Sequence, residues 1–157
     1  MDIEIRAIAP ETVRDLLERD DAGRPPRLLT DREGGSPLRC CLTRARAEEE
    51  IALVSYAPLR RWAAANGVDP GAYDEQGPIF VHAGPCAGHA GGWPAAHSAH
   101  RILRAYNAAG GIHEGHYLAA GADPEVALKE VLADPEVAVV HVRAVEFGCF
   151  QFEVRRA

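Results

Sequence analysis

The chain has 157 residues, of which 47% are hydrophobic and 25% are charged. These proportions are close to those of ordinary globular domains, so they exclude a disordered chain and a fibrous protein. A formal net charge of −6 argues against a general surface for nucleic acids. No apolar run approaches the roughly 20 residues that span a bilayer, and the N-terminal segment lacks the apolar block of a secretory signal. We therefore expect a soluble cytoplasmic protein with one globular domain over residues 1–157, no nucleic-acid partner and no membrane association.

The choice of basic residues indicates the kind of genome that encodes the chain. Lys129 is the one lysine among the 17 basic residues, and all the others are arginines. Such a preference, together with abundant alanine, is typical of GC-rich codon usage, so we expect a bacterial source. A single arginine therefore carries little information by itself.

The first half of the chain predicts four short strands and two helices. Residues 2–9 alternate apolar and polar side chains, as half-buried strands do, and the period becomes helical from Pro10. Residues 20–37 are dense in proline, glycine and charge, so we expect a mobile surface loop there. The next predicted elements are a two-stranded hairpin, a short helix and a strand, at residues 38–42, 51–56, 59–66 and 79–83.

The second half predicts a hairpin, a helix and a final pair of strands. Residues 101–106 and 112–118 flank an Asn-Ala-Ala-Gly-Gly bend, which favours a hairpin. Asp123 followed by proline predicts the start of a helix, and Asp134 followed by proline predicts its end. The apolar run VAVVHVRAV and the segment CFQFEV then predict two strands separated by a kink. Because short turns, not crossover helices, join most neighbouring strands, we predict an α+β fold: a mostly antiparallel sheet with two or three packed helices.

The cysteines are the first candidates for chemistry. There are four of them, Cys40, Cys41, Cys86 and Cys149. In a cytoplasmic protein we expect reduced thiols, and the simplest interpretation of each is a buried apolar side chain. Their neighbours in the sequence suggest a functional site as well. Arg39 precedes the first pair, and the string His82-Ala-Gly-Pro-Cys86 lies at the end of a predicted strand.

The apolar strand near the C-terminus carries two polar side chains on one face. Side chains alternate along a strand, so His141 and Arg143 point the same way. If that face is buried, both need partners, because unpaired buried polar groups cost free energy. Glu146 or an anionic ligand would be a suitable partner for these two side chains. The alternative is that this face of the sheet is exposed to solvent.

Three functions fit these residues. In the first, Cys86 or Cys149 is a nucleophile, His82 or His141 is its base, and an arginine holds an anionic group of a small-molecule substrate. In the second, a subset of cysteines and histidines binds zinc, since the spacing of His82 and Cys86 resembles that of metal ligands. In the third, the polar groups bind a small acid without chemistry, as in a binding or regulatory module. A protein-interaction module that works through the segment 20–37 is a further alternative. Motifs for nucleotide binding, serine hydrolysis and zinc proteases are absent.

Five further histidines have a simpler interpretation. They are His89, His97, His100, His113 and His116. We expect the last four to face solvent in loops or in the hairpin, although together with His89 they form a second possible metal cluster.

Several strings resemble a bacterial family known as domain of unknown function 1203. They include PLRCCL, GPIFVHAGPC, RILRAYNAAGGI and DPEVAVVHVRAVEFGCFQFEVRR, and the resemblance covers the chain from about Leu38 to Arg156. It implies no reaction. It implies instead that motif positions from four separate segments form one site.

The motif positions are Cys41, His82, Cys86, His141, Arg143, Glu146 and Cys149. We therefore expect an enzyme or a binding protein for a small anionic ligand, in which Cys86, Cys149, His82, His141 and Glu146 are catalytic and Arg39 and Arg143 bind the substrate. The alternative is a zinc domain whose ligands are Cys41, His82, Cys86 and Cys149.

Overall fold

A computed structural model describes residues 1–157, which form eight strands and three helices. The strands are β1 (Ile3–Arg6), β2 (Arg27–Asp31), β3 (Glu49–Tyr56), β4 (Gly77–His82), β5 (Arg101–Asn107), β6 (Ile112–Leu118), β7 (Val137–Arg143) and β8 (Phe150–Arg156). The helices are α1 (Pro10–Glu18), α2 (Pro58–Asn66) and α3 (Pro124–Ala133). The strands form two antiparallel sheets, so the predicted α+β class is confirmed.

The larger sheet has five strands in the order β1-β8-β7-β5-β6. Its centre is β7, which pairs with β5 on one side and β8 on the other. Helix α3 covers one face, where Leu128 and Leu132 pack with Val140 and Val142. Helix α2 packs on the other face, where Leu59 and Trp62 share a cluster with Tyr106 and Val139. Burial on both faces explains why β7 is the most apolar strand of the sequence.

The smaller sheet has three strands in the order β2-β3-β4. Its core combines Ile51 and Val81 with Val13 and Leu16 of α1. Phe150 from the start of β8 joins the same cluster, so the two sheets share a boundary there.

The predicted hairpin of residues 38–42 with 51–56 is wrong, because β3 pairs with β2 instead. Strand β2 lies inside the segment 20–37, for which we expected a loop throughout. It is a short edge strand with Leu28 64% exposed, and so it lacks the buried alternation that marks most strands. Backbone N–H groups of Ser55 and Ala57 donate to the carboxylates of Asp20 and Asp21, which holds the start of this segment against β3.

Residues 38–42 form a tight turn, not a strand. The N–H of Leu42 donates to the carbonyl of Leu38, and Leu42 has a φ of +60°. The N–H of Arg39 donates to the carbonyl of Phe80 at 2.9 Å, so this turn lies along β4.

None of the three helices is long and apolar enough to cross a membrane.

Asp123 caps α3, and its removal tests the helix assignment. Its carboxylate accepts hydrogen bonds from the N–H groups of Glu125 and Val126 at 2.9 and 3.2 Å. Asp123→Ala should lower the free energy of unfolding by about 1 kcal/mol, because two amides at the helix N-terminus lose their acceptor. Urea unfolding measures the change. Asp123→Asn keeps an oxygen acceptor and should cost much less, and an equal loss in both variants would contradict the cap.

Candidate metal centre

Four side chains that can bind a metal meet at one end of β4. They are Cys40, Cys41, His82 and Cys86. One ligating atom from each lies within 4.8 Å of all the others. The two adjacent cysteines are buried, and the other two residues are half-buried. A cluster of three thiols and one imidazole has the composition of a four-ligand zinc site.

The turn at residues 38–42 is what brings the two adjacent thiols together. Neighbouring residues of a strand point to opposite faces, so the predicted strand separated Cys40 from Cys41. In the turn, both sulfurs lie near His82 Nδ1, at 3.2 Å for Cys40 and 3.8 Å for Cys41. Cys40 was not among the expected ligands, because the family resemblance pointed to Cys41 alone. Cys86 follows through the loop 83–85, which returns the chain toward the end of β4.

The His82 ring is held on both of its nitrogens. Nε2 lies 3.0 Å from Oε1 of Glu49, and Nδ1 faces the sulfurs. Because a carboxylate only accepts hydrogen bonds, the neutral ring carries its proton on Nε2 and presents the lone pair of Nδ1 to the thiols. The backbone N–H of Arg46 donates to Glu49 at 2.7 Å and holds the pKa of that carboxyl below its ordinary value. The carboxylate is therefore ionised and available to orient the ring.

The two adjacent thiols of the cluster differ in acidity. A hydrogen bond between Cys40 and Cys41 lowers the pKa of Cys41 and raises that of Cys40, and burial raises the Cys40 value further. Thr43 Oγ1, which lies 3.0 Å from the sulfur of Cys41, also favours the Cys41 thiolate. Cys41 is therefore the thiol of the pair that loses its proton more readily, and thiolate is the form that binds metals.

A groove of about 480 Å³ gives access to the cluster. Cys40 and Cys86 line it together with apolar side chains of α1, among them Val13 and Leu17. Arg14 is the only charged side chain in its lining. The groove can therefore admit a small molecule that is mostly apolar, with one anionic group.

Cys149 lies outside this cluster. It follows the kink after β7, is half-buried, and makes its one hydrogen bond to the carbonyl of Phe147 at 3.9 Å. Arg143 is close by: it donates to the carbonyl of Gly148 and pairs with Glu75 at 3.1 Å. Cys149 and Arg143 both line a separate cavity of about 230 Å³. The structure therefore brings Cys149 together with Arg143, not with His82 and Cys86.

His141 and Arg143 are buried, so the interpretation of this sheet face as solvent-exposed is wrong. The rings of Tyr106 and Phe150 pack against His141 on this face, with centroid distances of 4.8 and 5.2 Å. His141 has Glu153 as its nearest acid, with Nε2 and Oε2 3.7 Å apart, and neither ring nitrogen has a hydrogen-bond partner. Burial lowers the pKa of His141, which keeps the ring neutral. The acid expected in this role, Glu146, is at the surface and pairs with His100.

Two other expected site residues have clear positions. Arg39 is buried, and its guanidinium donates to the carbonyls of Phe150 and Pro37 at 2.9 and 2.6 Å. His97 is only 2% exposed and packs edge-on against the ring of Phe152, so the prediction of a solvent-facing His97 is wrong. The other four of the five histidines do not come together as a metal cluster.

The buried His97 predicts how stability depends on pH. Burial lowers its pKa to about 4 from an ordinary value of 6.5, and the positive charge of Arg101 contributes. The unfolded chain therefore takes up a proton first, so the stability contributed by neutral His97 is present above about pH 6.5 and is lost as the pH falls toward 4. Urea unfolding across this range should show a shallower pH dependence for His97→Gln than for the wild type. His116→Gln removes an exposed histidine and should leave the slope unchanged; an unchanged slope in His97→Gln would contradict a depressed pKa.

Comparison with known proteins places the chain in a family without adding a reaction. No curated protein and no solved structure matches it. The family model described as "Protein of unknown function (DUF1203)" matches residues 35–156, which include all four residues of the cluster. Since the match covers most of the 157 residues, the chain belongs to the DUF1203 family.

Proposed function

We propose that the protein binds zinc through Cys40, Cys41, His82 and Cys86, and that this metal centre is structural. The observation that supports the proposal is the convergence of all four ligating atoms within 4.8 Å. Two thiolates on one tetrahedral zinc, each at about 2.3 Å from it, are roughly 3.8 Å apart. The present spacing therefore needs only small side-chain movements to close around the ion.

Glu49 supports the proposal independently of the ligands. Zinc-binding histidines usually donate their second ring N–H to a carboxylate or carbonyl, which orients the ring and makes the other nitrogen a better ligand. Glu49 Oε1 is 3.0 Å from His82 Nε2, on the side of the ring away from the thiols. A chance cluster of buried thiols has no need of this contact.

A zinc ion here would cross-link three parts of the chain. Cys40 and Cys41 belong to a turn, His82 ends β4, and Cys86 lies in the loop beyond it. Four protein ligands leave no open coordination position, so the ion would stabilise the fold and would not activate water. The proposal includes a cytoplasmic location, where thiols stay reduced and able to bind metal.

A thiol enzyme is the second candidate, and the groove favours it. Cys86 is half-buried, belongs to the same cluster as His82, and lines the 480 Å³ groove together with Arg14. In a metal-free protein, His82 would accept a proton from a neighbouring thiol, and Arg14 would hold an anionic group of the substrate. Cys149 is less suited to this role because no histidine forms a hydrogen bond with it.

Metal content separates the two candidates. Protein purified without chelators should contain about one zinc per chain by plasma mass spectrometry. Cys40→Ser, Cys41→Ser and Cys86→Ser should each lose most of the metal, because serine is a poor zinc ligand. Cys149→Ser is the matched control and should keep it. A wild-type chain that neither contains zinc nor takes it up, with one thiol that iodoacetamide alkylates rapidly at neutral pH, would contradict the metal centre and favour the thiol enzyme.

Substitution of Glu49 tests the support of the histidine ligand. Glu49→Gln should weaken zinc binding by about 10- to 100-fold, because the amide orients the ring less well and does not increase its basicity. Competition with a chromophoric chelator measures the affinity. Glu48→Gln removes the neighbouring exposed charge and should leave the affinity unchanged. Equal losses in both variants would indicate a general effect of charge and would argue against a role for the Glu49–His82 contact.

A further inference from the structure

Three arginines and a histidine gather on the side of the turn 38–42 that faces away from the thiols. They are Arg39, Arg44, Arg101 and His97. Arg39 and Arg101 are buried, at 4% and 7% exposure, whereas Arg44 is exposed. Arg44 and Arg101 reach the adjacent residues 96 and 97, and Arg39 lies in the turn that precedes Arg44.

The hydrogen bonds of this arginine cluster go almost entirely to backbone carbonyls. Arg44 donates to the carbonyls of Gly35 and Ala96, at 3.0 and 3.3 Å. Arg101 donates to the carbonyl of His100 at 2.7 Å, and its Nη2 lies 3.5 Å from Nδ1 of His97. These contacts fix the positions of the guanidinium groups but leave their charges uncompensated.

No carboxylate lies within 4.0 Å of Arg39, Arg44 or Arg101, although the chain carries a net charge of −6. The nearest acidic influence on Arg101 is Glu146, which is at the surface and already pairs with His100. Arg39 has only the thiol of Cys149 near it as a possible anion. The Nε–H of Arg101 is buried without any partner. Buried charges are normally paired, so this arrangement lacks an anion.

We propose that the arginine cluster binds a phosphate group, either as inorganic phosphate or at the end of a small phosphate monoester. Guanidinium groups bind such oxygens in pairs of parallel hydrogen bonds, and several positive charges suit a dianion. The buried positions of Arg39 and Arg101 limit the bound group to a small one, and the exposed Arg44 marks the side from which it enters. None of the hydrogen bonds of these arginines goes to a proposed zinc ligand, although the turn 38–42 positions both sites.

Binding to the full-length protein as purified tests the proposal. Isothermal titration calorimetry with inorganic phosphate, against a sodium chloride control of equal ionic strength, should show saturable binding to one site. Phenyl phosphate in a parallel titration distinguishes the two sources: binding as tight as that of phosphate indicates a monoester, and much weaker binding indicates the free ion.

Three variants test whether phosphate binds at the arginine cluster and not elsewhere on the surface. Arg44→Ala should weaken phosphate binding by about tenfold or more, because an exposed charged donor is lost from the site while the buried residues stay in place. Arg27→Ala removes an exposed arginine on β2 that makes no ion pair, and it should bind phosphate like the wild type. Arg101→Gln should abolish binding, and circular dichroism checks that this variant with a buried substitution still folds.

The proposal would be overturned by two results. One is the absence of saturable phosphate binding at concentrations up to about 10 mM, which exceeds any affinity useful in a cell. The other is a wild-type affinity in Arg44→Ala together with a wild-type affinity in a folded Arg101→Gln. If Arg101→Gln does not fold, Arg44→Ala alone decides between these outcomes, and the zinc content of each variant shows that the other site is unaffected.

Discussion

The backbone hydrogen bond from Arg39 to Phe80 is the contact on which both candidate sites depend. It docks the turn 38–42 along β4, and the carbonyl of Arg39 in turn accepts from the N–H of Ile8. With the turn held on both sides, successive side chains are directed to opposite parts of the molecule. Cys40 and Cys41 reach His82 at the end of the smaller sheet, whereas Arg39 reaches Phe150 at the start of β8. One short turn therefore positions the thiols of the metal centre and one buried arginine of the anion site.

The two candidate sites differ in the sign of the charge that their side chains carry. At the thiol cluster, Thr43 and His82 favour the Cys41 thiolate, and Glu49 orients the lone pair of His82 Nδ1 toward the sulfurs, an arrangement that a cation would complete. At the arginine cluster, the positive charges have carbonyl partners but no acid, which an anion would complete. Both arrangements follow the same rule, that buried charge is stable only with a partner of opposite sign. The proposed ligands have opposite charges for this reason.

A third group of buried polar residues lies between the sheet formed by β7 and the helix α2. His141 and the hydroxyl of Tyr106 have no hydrogen-bond partners, and their rings are 4.8 Å apart. Glu153 is the nearest acid and also pairs with Arg155. Burial keeps His141 neutral, which avoids the larger cost of a buried charge, although both ring nitrogens stay unpaired. These residues contribute to the packing of the sheet and form no continuous site with the thiols.

The amino-acid sequence by itself determined the fold class, the family and three of the four candidate ligands. The period-two alternation of residues 2–9, the Asp123–Pro124 start of α3 and the spacing of His82 and Cys86 are local features, and local features are visible in sequence. Tertiary structure alone decided that β2 pairs with β3, that Cys40 replaces Cys149 in the cluster, and that Glu153 faces His141 in place of Glu146. Each of these results depends on contacts between distant segments. The hydrogen bonds that select one partner strand or side chain over another cannot be inferred from the spacing of residues along the chain. The uncompensated charge of the arginine cluster also became visible only in the tertiary structure, because the sequence does not show which acidic side chains lie near a buried arginine.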